Sequence, residues 1–65
     1  NFFDLINGYR IEKSKDLLLS KKEKNLTLDS IAEMCGFNSR FTFNTAFKKS
    51  TGVTTSKWLK MQQSS

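Results

Sequence analysis

The chain has no histidine and no proline, a single cysteine, three glycines and no apolar run longer than Leu17-Leu18-Leu19. Each shortage removes a class of function. Without histidine the usual proton carrier near neutral pH is missing, and the six carboxylates are scattered over lysine-rich segments where nothing splits their affinities for protons. Cys35 has no histidine to activate it, no second thiol for an internal disulfide and too few companions for a zinc site. It is expected to be a small buried hydrophobe in a protein of the reducing cytoplasm. The glycines at 8, 36 and 52 are isolated, so no phosphate-cradling loop exists. Three leucines fall far short of the roughly 20 apolar residues that a membrane-spanning helix needs. The expectation is therefore a protein that is not an enzyme, with no cofactor, no metal and no membrane partner.

The missing proline and the absence of alternating β-branched runs bounded by turns argue against a sandwich or barrel of short strands. An all-α fold remains, a small helical bundle of about four helices. Sixty-five residues make one small domain, and a chain of that size buries only about 60% of its unfolded surface, so its core must be economical. The opening Asn1-Phe2-Phe3-Asp4 carries no positively charged leader and no initiator methionine, and the expectation is a piece of something larger. Eleven Lys and Arg against six Asp and Glu give a net charge of +5, a balance suited to a polyanionic partner.

From Phe2 to Leu19 the apolar residues fall on two helical arcs. Phe3, Ile6, Ile11, Ser14, Leu17 and Leu18 share one broad face, whereas Phe2, Leu5 and Tyr9 gather on another. Such a helix either serves two neighbours or is an irregular amphipathic helix in a single core. Asn1 can cap it, with Asp4 placed three positions on as in a capping box. The polar run from Ser20 to Asn25 suits a loop whose lysines, Lys21, Lys22 and Lys24, aid solubility. A second helix is expected from Leu28 to Cys35, capped by Thr27, with Asp29 in its first turn and Gly36 as its stop. Asn38 or Ser39 can cap a third helix running through Lys49, ended by Gly52. On it Phe43, Ala46 and Phe47 form a core arc and Phe41, Asn44, Thr45 and Lys48 the opposite one, with Arg40 and Lys49 at the edges. Thr54-Thr55-Ser56 offers caps for a short last helix holding Trp58, Leu59 and Met61, before a polar tail, Gln62 to Ser65, that frays.

Two helices that meet at a wide angle through a glycine-containing turn need a small residue at the crossing and large apolar residues behind it. Ala32 fits the crossing, and Ile31, Phe37, Phe43 and Phe47 fit the backing. That is the layout of a DNA-binding helix-turn-helix, whose second helix presents its N-terminal side chains to base edges in the major groove. A rival reading is a basic helical protein-interaction module, docking a partner helix through Phe41 or through Phe2 and Tyr9.

The run Ile31-Ala32-Glu33-Met34-Cys35-Gly36-Phe37-Asn38-Ser39-Arg40-Phe41-Thr42-Phe43-Asn44-Thr45-Ala46-Phe47-Lys48-Lys49, followed by Gly52, resembles the signature of the AraC/XylS transcription regulators. Arg10-Ile11-Glu12-Lys13-Ser14 with Leu17-Leu18 resembles that family's linker helix. Members carry two helix-turn-helix units joined by such a helix. The resemblance implies a partial AraC-type DNA-binding domain over 1–65: linker helix 1–20, the second helix-turn-helix unit 27–50 and a short C-terminal helix 54–61. The chain departs from the pattern in having Thr55 where a proline is usual, Ser14 where an alanine is usual, and Trp58-Leu59 in place of an aromatic-arginine pair. Thr45 stands where arginine is common, which removes a bidentate guanine contact.

Family correspondence and helical geometry give the same DNA-binding set: Arg40, Phe41, Asn44 and Thr45 toward base edges, and Thr42, Lys48 and Lys49 near phosphates. Arg40 has the donors for guanine or a phosphate, Asn44 for adenine, and Phe41 and Thr45 the carbon surface for a thymine methyl. Phe41 has the alternative of folding over the helix into the core, and the two lysines that of a solvated face. The implied partner is double-stranded promoter DNA, with RNA polymerase contacted by the full-length parent. Phe2, Leu5 and Tyr9 are expected to face the other unit; in the isolated chain they pair with a second copy as a homodimer, or the helix frays up to about Gly8.

Overall fold

Asn1 starts the first helix with its own side chain, its Oδ1 accepting the Phe3 N–H at 2.7 Å. This begins the computed structural model, in which residues 1–63 are described and form four helices, α1 (Phe2–Leu19), α2 (Leu28–Met34), α3 (Arg40–Thr51) and α4 (Thr55–Gln63). No strand occurs among the described residues, in accord with the all-α expectation. After α1 the chain from Ser20 to Asn25 winds through turns, closed by the Leu26 N–H donating to the Lys21 carbonyl at 2.9 Å. Asn25 takes a left-handed φ of 54° there, a conformation asparagine tolerates better than most residues.

Thr27 and Ser30 close α2 reciprocally: the Ser30 N–H donates to Thr27 Oγ1 at 3.1 Å and the Thr27 N–H to Ser30 Oγ at 3.0 Å. Cys35 ends the helix as its cap, one residue earlier than the sequence suggests. Of the two candidate caps for α3, Ser39 is the one used, its Oγ accepting the Thr42 N–H at 3.1 Å. The helix runs two residues past Lys49, to Thr51, before Gly52 stops it at a φ of +85°. Thr54 Oγ1 accepts the Lys57 N–H at 3.2 Å and so starts α4. Thr55 then occupies the first helical position, where proline is favoured because no backbone acceptor is waiting for its N–H. Gln62 and Gln63, placed by the sequence in the polar tail, are the last residues of α4, while residues 64 and 65 of that tail lie outside the described residues.

A Ser39→Ala substitution leaves an N–H at the start of α3 without its acceptor and should cost about 1 kcal/mol. Ser39→Asp, which keeps an acceptor, should melt close to wild type. Thermal unfolding followed by circular dichroism distinguishes the two.

The core joins Ile11 and Leu18 of α1, Ile31 and Ala32 of α2, Cys35 and Phe37 of the turn, and Phe43 and Phe47 of α3. Trp58 and Leu59 of α4 pack on it, whereas Met61, placed with them by the sequence, is exposed. Phe37, Phe43, Phe47 and Trp58 form a chain of tilted and edge-on rings with successive centroids 5.5, 5.9 and 6.0 Å apart, a preferred aromatic geometry. Ser14 is fully buried, and its hydroxyl is satisfied by donating to the Ile11 carbonyl at 2.6 Å. Burial pushes the Cys35 thiol above its ordinary range, against a smaller opposing pull from Lys13.

Two expectations for α1 are corrected. Phe3 does not share the core face: it is 72% exposed, as are Phe2, Leu5 and Tyr9 to similar degrees. The buried stripe is Ile11, Ser14 and Leu18, and it stops at Ile11: residues 1–5 of the chain are all exposed. Asp4, for its part, makes no capping box; its carboxylate meets Lys49 Nζ of α3 at 3.3 Å. A contact across 45 positions replaces the local one.

Candidate nucleic-acid interface

The reversal between α2 and α3 is made by Gly36, whose φ of +91° suits a residue without a Cβ. The Phe37 N–H then donates to the Ala32 carbonyl at 2.9 Å and the Gly36 N–H to that of Glu33 at 3.0 Å. Ala32 is buried in this joint, as a small residue at a helix crossing must be. The Arg10 guanidinium from α1 lies 5.9 Å from the Phe37 ring centroid and packs against Gly36, fastening the turn from outside.

With Phe43 and Phe47 fixed in the core, the geometry of α3 decides what faces outward. Phe41, Asn44, Thr45 and Lys48 are all exposed on the opposite side. Phe41 is 78% exposed, so its alternative of folding back into the core is not taken. Together with Leu28 and Thr54 these four line a shallow groove of about 330 Å³ between α3 and the start of α4. Among the described residues no carboxylate pairs with Lys48.

The flanks of this face differ from its centre. Arg40 borders α2, where its Nε lies 3.8 Å from Asp29 Oδ1, with both side chains largely in solvent. Thr42 and Lys49, seven positions apart, share the other flank, toward α1, where Lys49 meets Asp4. Five of the seven site residues expected from the sequence thus lie on one face or its α2 edge, and two on the α1 edge. Sequence reasoning missed Asp4, Asp29 and Arg10. Asp29 was legible only as a first-turn carboxylate, and nothing local links Asp4 to Lys49.

Chemically the face offers hydrogen-bond donors, a cation and exposed apolar carbon on one helix. None of the helices among the described residues is long and apolar enough to cross a membrane. No curated protein and no solved structure matches the chain. A family model described as a helix-turn-helix domain matches residues 1–61. Because that match runs from α1 into α4 and the α2–turn–α3 geometry agrees with it, the chain belongs to the AraC-type helix-turn-helix family, whose members bind DNA in transcription regulation.

Proposed function

We propose that α3 enters the major groove of promoter DNA and reads sequence there, with Arg40, Phe41, Asn44 and Thr45 toward base edges and Thr42, Lys48 and Lys49 toward phosphates. The observation that carries this reading is the outward face of α3: polar, cationic and aromatic side chains stand exposed directly opposite the buried Phe43 and Phe47. A major groove about 12 Å wide accepts a helix of this kind. Arg40 and Asn44 supply hydrogen bonds that discriminate bases, Phe41 and Thr45 offer carbon to a thymine methyl, and the lysines add attraction that is independent of sequence. A cytoplasmic regulator is the setting this function requires.

In the same reading α1 is a linker helix, and residues 27–50 are the second of two helix-turn-helix units. The exposed Phe2, Leu5 and Tyr9 support it, since an apolar face of that size calls for a neighbour. A second copy of the chain is the other neighbour that satisfies it.

The test is a titration of the Arg40→Ala and Lys48→Ala proteins with a duplex selected from a randomised library and with its scrambled counterpart. Loss of Arg40 should cost roughly 1 to 3 kcal/mol on the selected duplex and relax one base preference. Loss of Lys48 should weaken both duplexes alike and lower the salt slope by about one. Identical effects of the two variants on both duplexes would remove Arg40 from base reading.

A further inference from the structure

Arg40 sits at the edge of the reading face with a carboxylate beside it. Asp29 stands in the first turn of α2, where the positive end of the helix favours a negative side chain, and its Oδ1 faces Arg40 Nε at 3.8 Å. Lys48, at the centre of the face, has no such neighbour among the described residues. Arginine in solution wanders over many rotamers, and on a polyanion it settles on whichever phosphate is nearest. A carboxylate on the Nε side changes both tendencies. At 3.8 Å, longer than a hydrogen bond, it attracts the guanidinium toward the α2 edge, leaves the two terminal nitrogens for a bidentate acceptor, and repels phosphate from that edge.

We propose that Asp29 is a positioning residue for base recognition, holding Arg40 so that it takes a base edge in preference to a phosphate. This rests on the placement of α3 in the major groove. Its consequence is a trade: Asp29 lowers affinity for DNA of any sequence and raises the ratio of selected to scrambled affinity. Surface ion pairs add little to stability, so removing the Arg40 partner of Asp29 should change the affinity ratio without unfolding the domain.

The experiment measures that ratio for wild type, Asp29→Asn, Asp29→Glu, Arg40→Ala and the Asp29→Asn/Arg40→Ala double variant, after circular dichroism shows that each is folded. Asp29→Asn should lower the ratio about fivefold, chiefly by tightening binding to the scrambled duplex, and Asp29→Glu should restore it. In the Arg40→Ala background Asp29→Asn should leave the ratio unchanged, because the residue it positions is gone. The same fivefold drop with and without Arg40 would mean that Asp29 acts through overall charge, and the proposal would fall. If Arg40→Ala lowers the ratio but Asp29→Asn does not, the proposal falls while the major-groove reading stands. If Arg40→Ala leaves the ratio unchanged, both fall.

Discussion

Phe47→Ala is expected to abolish cooperative folding of the domain. Phe47 is fully buried, meets Phe43 at 5.9 Å and Trp58 at 6.0 Å between ring centroids, and so ties α4 to the core through the Trp58 ring. Truncating a buried phenylalanine costs about 3 to 5 kcal/mol through lost transfer energy and the cavity left behind. A single hydrophobic core in a domain this small rarely supplies more than about 3 to 5 kcal/mol in total. The loss thus matches the whole reserve. A thermal scan by circular dichroism should show low helicity at 25 °C and no sigmoidal transition. A cooperative melt within a few degrees of wild type would place Phe47 outside the core.

The second large effect is expected at Gly36. At a φ of +91° any L side chain is strained, and a left-handed conformation costs an alanine roughly 1 to 2 kcal/mol. The new Cβ would also sit 3.2 Å from Arg10 Nε, so the guanidinium must give by a few tenths of an ångström. Gly36→Ala should therefore destabilise by about 2 kcal/mol or slightly more, and DNA affinity should fall with it because the α2–α3 angle is set at this joint. Denaturant unfolding read beside Arg10→Ala separates the contributions: in the Arg10→Ala background the glycine substitution should cost only its backbone share. An unchanged midpoint for Gly36→Ala alone would show that the turn has another conformation available.

Most of the fold is legible because it is written in short-range rules. Thr27, Ser39 and Thr54 are hydroxyls just ahead of apolar periodicity, and each caps the helix that follows it. Gly36 and Gly52 punctuate as left-handed residues do, and the four-residue spacing of Phe43 and Phe47 fixes the inner side of α3. Once that side is known the opposite face follows by geometry, which is why Phe41, Asn44, Thr45 and Lys48 are found from sequence. The illegible part is what each helix meets. Phe3 is misassigned because a helical wheel centred on all apolar residues averages the aromatic N-terminal half of α1 with its buried C-terminal half. Asp4 looks like a capping residue until α3 brings Lys49 beside it, and Arg10 looks like a solvated charge until the turn at Gly36 folds under it. These pairings are set by the packing of helices distant in sequence, and periodicity carries no record of them.

The division of α1 into an anchored half and an exposed half has a consequence for phase. Because the helix is continuous from Phe2 to Leu19, with no proline to bend it, its exposed aromatics are keyed to the buried Ile11, Ser14 and Leu18 like a pointer on a fixed axle. One residue inserted between Tyr9 and Ile11 advances the pointer by about 1.5 Å and turns it through roughly 100°. A coil would absorb the insertion as slack; a helix converts it into rotation. Whatever docks on Phe2, Leu5 and Tyr9 is thereby indexed to α3 by angle, and evolution can lengthen this segment without resetting that angle only in near-whole turns.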